Sequence, residues 1–298
     1  MNNDKNKISV RLGILSLLFL AAAIASVIFQ YSIGEHSKDV LNNMQQAVAQ
    51  SSEPVSVSDG AVSDGDAAEQ TADATGGADA GGDADNAEDA GPEPMPQAPN
   101  PYQDSFLANA DMGAWLKIDG TVIDYPVMWT PRDETYYLYR NFEGREDQNG
   151  CLLLDTDSCT NPLTTNLIIH GHNMRSGAMF GSLTKYQDAS YCREHSQITL
   201  YTETCERRYE VIAVFRSQVY KKTDQVFKFY KFFQADTEEA FDDFYQNIKA
   251  LSLYDTGVTA SFGDHFITLS TCTYHVQNGR FVVVAKEVEG GEQYAPFR

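Results

Sequence analysis

Several chemistries are missing from this chain of 298 residues. It has no C-x-x-C pair, so a zinc ribbon or a thioredoxin-type dithiol is unsupported. It has no H-E-x-x-H run, which removes the common zinc-protease signature. It has no basic surplus either: 22 Lys and Arg stand against 42 Asp and Glu, for a net charge of −20. A protein that grips nucleic acid needs the opposite footprint, so no nucleic-acid partner is expected. Two stretches are poor in a different way. Leu12 to Gly34 holds no charged residue, and Gln50 to Asn100 holds no Lys, no Arg and no aromatic.

Each of these deficits has a physical consequence. Leu12 to Phe29 is almost wholly apolar, about the length that one bilayer crossing needs (~20 residues). Lys5, Lys7 and Arg11 precede it, which orients residues 1–11 to the cytoplasm and the bulk of the chain outside. Ala23-Ile24-Ala25 offers a rival reading as a cleaved signal peptide. The apolar run continues past it through Val27, Ile28 and Phe29, so residues 12–31 are read as an uncleaved anchor in the cell membrane. The stretch from Gln50 to Asn100 carries twelve acidic residues among Ala, Gly, Ser and Pro. Such a segment cannot bury enough apolar surface to offset its ordering entropy. Residues 32–100 are therefore read as a disordered acidic spacer that holds a folded domain, 101–298, away from the membrane. The acidity belongs mostly to this spacer.

The folded part reads as mainly β. Short runs rich in β-branched and aromatic residues recur at Thr121–Trp129, Tyr136–Tyr139, Cys151–Leu154, Thr165–His170, Gln197–Tyr201 and Tyr209–Phe215, separated by turn residues. With a closing hairpin this makes seven or eight strands, the pattern of a closed or nearly closed barrel. A weak helical pattern covers Asp104 to Trp115. A stronger one starts with Asp236 as N-cap and Glu239 closing a capping box, and places Phe241, Phe244, Tyr245, Ile248 and Leu251 on one stripe. This helix lies between two late strands, as an insertion near a barrel rim that either caps it or walls a groove.

The chemistry concentrates between His265 and Val288. Phe266 to Leu269 and Phe281 to Ala285 are strand-like, and Asn278-Gly279 is a strong turn signal between them. Side chains alternate across a strand, so a hairpin closed there can set Cys272 near Arg280 on one face. A fixed cation beside a thiol favours the thiolate, which is the nucleophilic form. Cys151, Cys159, Cys192 and Cys205 carry no comparable reason to stay free, and an odd count leaves at least one of the five unpaired. What Cys272 lacks locally is a base. His170 and His172, flanking Gly171 at a strand end, are the candidates. Their i, i+2 spacing also suits a metal, but no nearby carboxylate completes a zinc set, so no metal and no cofactor are expected. His36, His195, His265 and His275 read as surface residues.

Three blocks in this order resemble a class B sortase. They are Gly171-His172-Asn173-Met174 with Met179-Phe180-Gly181, Thr268-Leu269-Ser270-Thr271-Cys272, and Arg280, together with Tyr137-Leu138, Asn141-Phe142 and Asn149 to Asp155 upstream. The resemblance covers about Phe106 to Val288. It implies an eight-stranded β-barrel with an N-terminal helix and a helix inserted before the last two strands. It implies a cysteine transpeptidase that cuts a C-terminal sorting signal of a secreted protein and joins the acyl fragment to an amine of the cell wall or of a pilin. It further implies Cys272 as nucleophile, His172 as general acid/base and Arg280 as the residue that positions substrate and steadies the oxyanion. Thr271, Ser270 and Asn173 would lie in the vicinity of substrate and oxyanion. The sorting motif implied is Asn-Pro-x-Thr-Asn-like or related. Some class members carry an acidic residue just after the Cys; Thr273-Tyr274 stand there instead, so nothing is assigned to orient His172. Two rival functions share these residues: a Cys-His cell-surface peptidase that passes the acyl group to water, and a surface binding module in which barrel and thiol are only structural.

Overall fold

The computed structural model describes residues 35–50, 98–273, 276–288 and 291–296. The anchor at 12–31 lies outside these residues, as do most of the acidic segment, Tyr274 and His275. Among the described residues no helix is long and apolar enough to cross a membrane.

Eight strands form the body: β1 (Met112–Lys117), β2 (Asp124–Met128), β3 (Leu152–Leu154), β4 (Asn166–Gly171), β5 (Gln197–Tyr201), β6 (Glu206–Gln218), β7 (Phe266–Thr273) and β8 (Gly279–Val288). They close in the order β1-β2-β3-β4-β7-β8-β6-β5. Closure leaves no free sheet edge. Neighbours are antiparallel except β2 with β3 and β4 with β7, which run parallel. The interior is filled by one alternate set of side chains, among them Leu116, Val127, Leu152, Leu167, Ile169, Ile267, Leu269, Phe281 and Val283. This is the period-two pattern that a strand imposes.

The outer wall is covered in two places. α4 (Glu238–Leu251) lays Phe241, Phe244 and Ile248 on Ile212, Phe215, Phe266, Val282 and Val284. The stripe read from sequence is thus the packing face, but the helix sits over the side of the barrel and not at a rim. Its N-cap is Thr237, whose hydroxyl accepts from the Ala240 amide, one residue later than expected. Asp236 and Glu239 therefore form no capping box. On the opposite flank Tyr102, Phe106, Trp115, Met128, Cys151 and Leu153 form a second outer cluster. It is covered by α2 (Gln103–Ala108) and by a helix over residues 35–50, here α1.

Three expectations need correction. The helix read over Asp104 to Trp115 stops at Ala108; Asn109 turns extended, and Met112–Lys117 is strand β1. Pairing of Trp115 with Pro126 and Tyr201 outweighs a weak helical periodicity. The strand read over Thr121–Trp129 is confined to Asp124–Met128, and Tyr136–Tyr139, which leads into Asn141-Phe142, is a run of turns held by backbone hydrogen bonds such as Leu138 N–H to the Thr135 carbonyl. Residues 35–50, read as the start of a disordered spacer, are helical because Leu41, Met44 and Val48 share a face that finds the barrel.

Candidate active site

Three adjacent strands, β4, β7 and β8, set the geometry. On β7, Ile267 and Leu269 face the interior and Phe266 faces out, so the alternation sends Thr268, Ser270 and Cys272 outward. On β8, Phe281 and Val283 face in while Val282 and Val284 face out, which places Arg280 outward too. Cys272 is the direct cross-strand partner of Arg280. Opposed residues in such a pair lie ~4.5–5.5 Å apart at Cα. On the other side Gly171, the last residue of β4, is in register with Thr271, and His172 follows it directly at the strand end. Cys272 and Arg280 thus share the outer surface on β7 and β8, with His172 just past the adjoining end of β4; these three residues are termed the row. The hairpin behind Arg280 turns through Asn278, whose φ of +57° is a conformation that Asn tolerates. Cys272 is exposed, whereas Cys151, Cys192 and Cys205 are buried; all five thiols are free.

The segments flanking the row lock it in place. The Asn173 side-chain amide donates to the Cys272 carbonyl at 2.8 Å. The Thr271 hydroxyl is buried and donates to the Gly171 carbonyl at 2.7 Å, so it ties β7 to β4 and does not face a substrate. Gly171 itself must lack a side chain: a Cβ there would come within 2.6 Å of both Leu152 and Phe180. The Ser270 hydroxyl is buried and finds no hydrogen-bond partner. One guanidinium nitrogen of Arg280 donates to the Gly279 carbonyl at 3.1 Å. The same nitrogen lies 3.5 Å from the Asn278 carbonyl, and among the described residues no hydrogen bond engages the other donors of its five-donor fork.

The partner of His172 left no trace in the sequence. Its Nε2 lies 2.8 Å from the Leu138 carbonyl oxygen. A carbonyl only accepts, so Nε2 carries a proton and Nδ1 is the nitrogen left for proton exchange. The Tyr139 ring lies beside the imidazole, with centroids 5.3 Å apart. Leu138 is held by Gly150: at φ +60°, a Cβ on Gly150 would overlap the Leu138 carbonyl oxygen. Because the orienting atom belongs to the main chain, no side-chain type could have signalled it.

His170 occupies the row below, in register with Ser270. Its Nε2 lies 3.1 Å from an Asp155 carboxylate oxygen. Burial alone would raise the Asp155 pKa. The His170 hydrogen bond, the Asp157 amide and the nearby Lys231 outweigh that and hold the carboxyl below its usual range. The two histidines thus have separate partners, and among the described residues no three ligating side chains gather as a metal site would require. Between β6 and α4 the chain crosses the outer face. Val219 donates its N–H to the Asn278 carbonyl, Phe229 is buried against Phe215, and the Phe232 and Phe233 carbonyls accept from Asn166 on β4. At Val219 this segment comes beside Asn278, two residues before Arg280.

Known proteins resemble this chain in sequence and fold. A sortase domain model matches residues 116–288, more than half of the chain. Sortase B of Listeria monocytogenes is 34% identical over 182 residues, 60% of this chain and 71% of the relative. The crystal structure of sortase B from B. anthracis in complex with AAEK1 superposes with a TM-score of 0.56 at 30% identity, over 65% of this chain and 90% of that one. A Staphylococcus aureus sortase B–substrate complex shares the fold with a TM-score of 0.58 at 24% identity, over 65% of this chain and 87% of that one.

Proposed function

Since the chain belongs to the sortase family, as a cysteine transpeptidase of class B, we propose that the row His172–Cys272–Arg280 is its catalytic centre. We propose in addition that its donors are sorting-signal-bearing secreted proteins. The observation that carries this is the register. Cys272 is paired with Arg280, and His172 directly follows Gly171, the last residue of β4 in register with β7.

The chemistry follows from the groups in that row. The Cys272 thiol gives its proton to His172 Nδ1, the resulting thiolate attacks the scissile carbonyl carbon of the signal, and the carbonyl π electrons move to oxygen. Arg280 faces that developing charge with a planar fork that can hold two oxygens. When the tetrahedral intermediate collapses, the C–N bond breaks and the leaving amine takes the proton on His172 Nδ1. The Nε2–H goes on donating to the Leu138 carbonyl and keeps the ring from rotating. A thioester to Cys272 remains. An incoming amine then loses a proton to Nδ1, forms the amide, and returns the thiolate.

The finer identity of the partners extends this reading. The donor signal is an Asn-Pro-x-Thr-Asn-like or related motif near a C-terminus, and the acceptor is an amine of the cell wall or of a pilin subunit. Residues 12–31 anchor the enzyme in the cell membrane, with residues 1–11 in the cytoplasm and the barrel outside. The test incubates the protein with a signal peptide, with and without an amine, and weighs the products. A transpeptidase gives the amide product when amine is present, and Cys272→Ala gives neither cleavage nor transfer. Hydrolysis alone at every amine concentration would favour the peptidase reading. Product formation by Cys272→Ala would end the proposal. N-terminal sequencing that begins near Ser26 would remove the anchor.

A further inference from the structure

The acidic segment reads from sequence as a spacer between membrane and enzyme, but the placement of α1 contradicts that role. Residues 35–50 begin four positions after the anchor ends and are already part of the folded body. Val40, Leu41, Met44 and Val48 lie on the half-buried side of the helix, and the last three pack against the cluster of Trp115, Met128, Tyr137 and Leu153. Polar contacts add to this along its length. The Gln45 side-chain amide donates to the Asp124 carbonyl at 2.7 Å, Asn141 donates to the Ser37 hydroxyl at 3.1 Å, and His36 lies 2.9 Å from a Glu143 carboxylate oxygen.

Two further placements matter. At its far end, Ala47 and Val48 border the same cleft as Pro99, Asn100 and Asp104. Asn100 is itself buried and fixed to the Thr202 carbonyl at 2.8 Å. The C-terminal end of α1 thus lies beside the stretch at 98–104 where the described chain resumes. At its near end, the contacts of α1 fall on Asn141 and Glu143. That segment continues from Leu138 and Tyr139, which hold His172.

We propose that α1 is a strut that docks the barrel to its membrane anchor and holds the His172–Cys272–Arg280 row close to the bilayer surface. Residues 51–97 then follow α1 in the chain and do not serve as the tether. This rests on the reading of 12–31 as the membrane anchor. The magnitudes separate the two arrangements. Residues 32–36 reach at most about 18 Å when fully extended. A free chain of roughly 70 residues, from the anchor to the barrel, has an end-to-end distance of about 45 Å.

The experiment uses the full chain in lipid vesicles. Cys159 is changed to Ser, a donor dye is placed on Cys272, and acceptor dye is carried by lipid headgroups. Energy transfer is compared in three proteins: the intact chain, a deletion of 51–97 joined by a short Gly-Ser link, and an insertion of twenty Gly-Ser residues between 34 and 35. With a strut, the deletion leaves transfer unchanged, and the insertion lowers it strongly by adding about 25 Å of flexible chain. With a tether, the deletion raises transfer and the insertion barely moves it, since chain dimensions grow only as the square root of length. That second pattern would overturn the proposal. Flotation with the vesicles tests the anchor separately: an intact chain that does not float removes the anchor reading and the membrane half of the proposal. Docking of α1 is then judged alone, by hydrogen exchange in residues 35–298. Protection of residues 35–50 that is lost in Leu41→Asp/Met44→Asp supports it, and absence of protection in the unaltered chain overturns it.

Discussion

Replacing Arg280 by Lys separates charge from geometry at the proposed oxyanion position. Arg280 is the direct partner of Cys272 across the hairpin, and one of its nitrogens is held by the Gly279 carbonyl at 3.1 Å. That bond fixes the plane of the guanidinium while leaving other N–H groups to face a substrate oxygen. Lys keeps the positive charge but offers a rotating point donor with no fixed plane. Losing a well-placed oxyanion donor costs about 10²–10³ in rate, or ~2.7–4 kcal/mol of transition-state stabilisation. Arg280→Lys is expected to lower kcat/KM by that factor in a quenched-peptide cleavage assay. Stability should stay within about 0.5 kcal/mol, because among the described residues no carboxylate pairs with Arg280 and the side chain is only half-buried. A kcat/KM within threefold of the parent would show that charge alone suffices and that the fork has no role. A large fall in melting temperature would show that the residue acts through the hairpin and not through the oxyanion.

Other expectations follow from the same contacts. Gly150→Ala cannot keep φ at +60° without overlap on the Leu138 carbonyl, so kcat should fall about as sharply as when one oxyanion donor is lost, with a measurable loss of stability; unchanged kinetics would free His172 from that carbonyl. Phe244→Ala removes a buried ring stacked on Phe232 with centroids 4.0 Å apart, and should destabilise by about 3–5 kcal/mol in denaturant titrations. A loss below about 1 kcal/mol would mean that α4 is loosely held. Asp124 is raised above the usual carboxyl range by burial, against the Trp115 hydrogen bond and Lys117. A raised folded pKa gives stability that is full below the unfolded value and is lost as pH rises through the folded one, so the charge is a net cost at neutral pH. Asp124→Asn keeps an acceptor for the Trp115 indole. It should leave stability at pH 7 equal or higher and flatten its decline just above pH 4, as melting across pH would show. Replacing Cys151, Cys159, Cys192 and Cys205 by Ala should leave thioester formation intact, which intact-protein mass spectrometry with a signal peptide would detect.

Much of the site was legible because it is local. Cys272 and Arg280 face the same way through strand alternation and an Asn-Gly turn between them, both properties of neighbouring residues. The row needed a third strand, and His172 is a hundred residues away in sequence. Periodicity carries no information about which strand lies beside which, so only the family resemblance joined the histidine to the thiol. The parallel pairing of β4 with β7 then brought Gly171 and Thr271, the residues just before them, into register. Thr271 illustrates the limit from the other side: next to the Cys in sequence, it faces inward and serves the sheet.

By itself the sequence determined the alternation that builds the barrel, the apolar stripe of α4, the acidic low-complexity segment and the identity of the reactive thiol. Each is written in side-chain type and spacing over a few residues. Tertiary structure decided what depends on distant partners. Met112–Lys117 became a strand because β2 and β5 were there to pair with it. The run 35–50 left the spacer because a barrel flank offered its Leu41, Met44 and Val48 a place to bury. The Leu138 carbonyl came to hold His172 because a glycine at position 150 left room for it. Main-chain acceptors are the same at every residue, so where one points is a property of the folded chain alone.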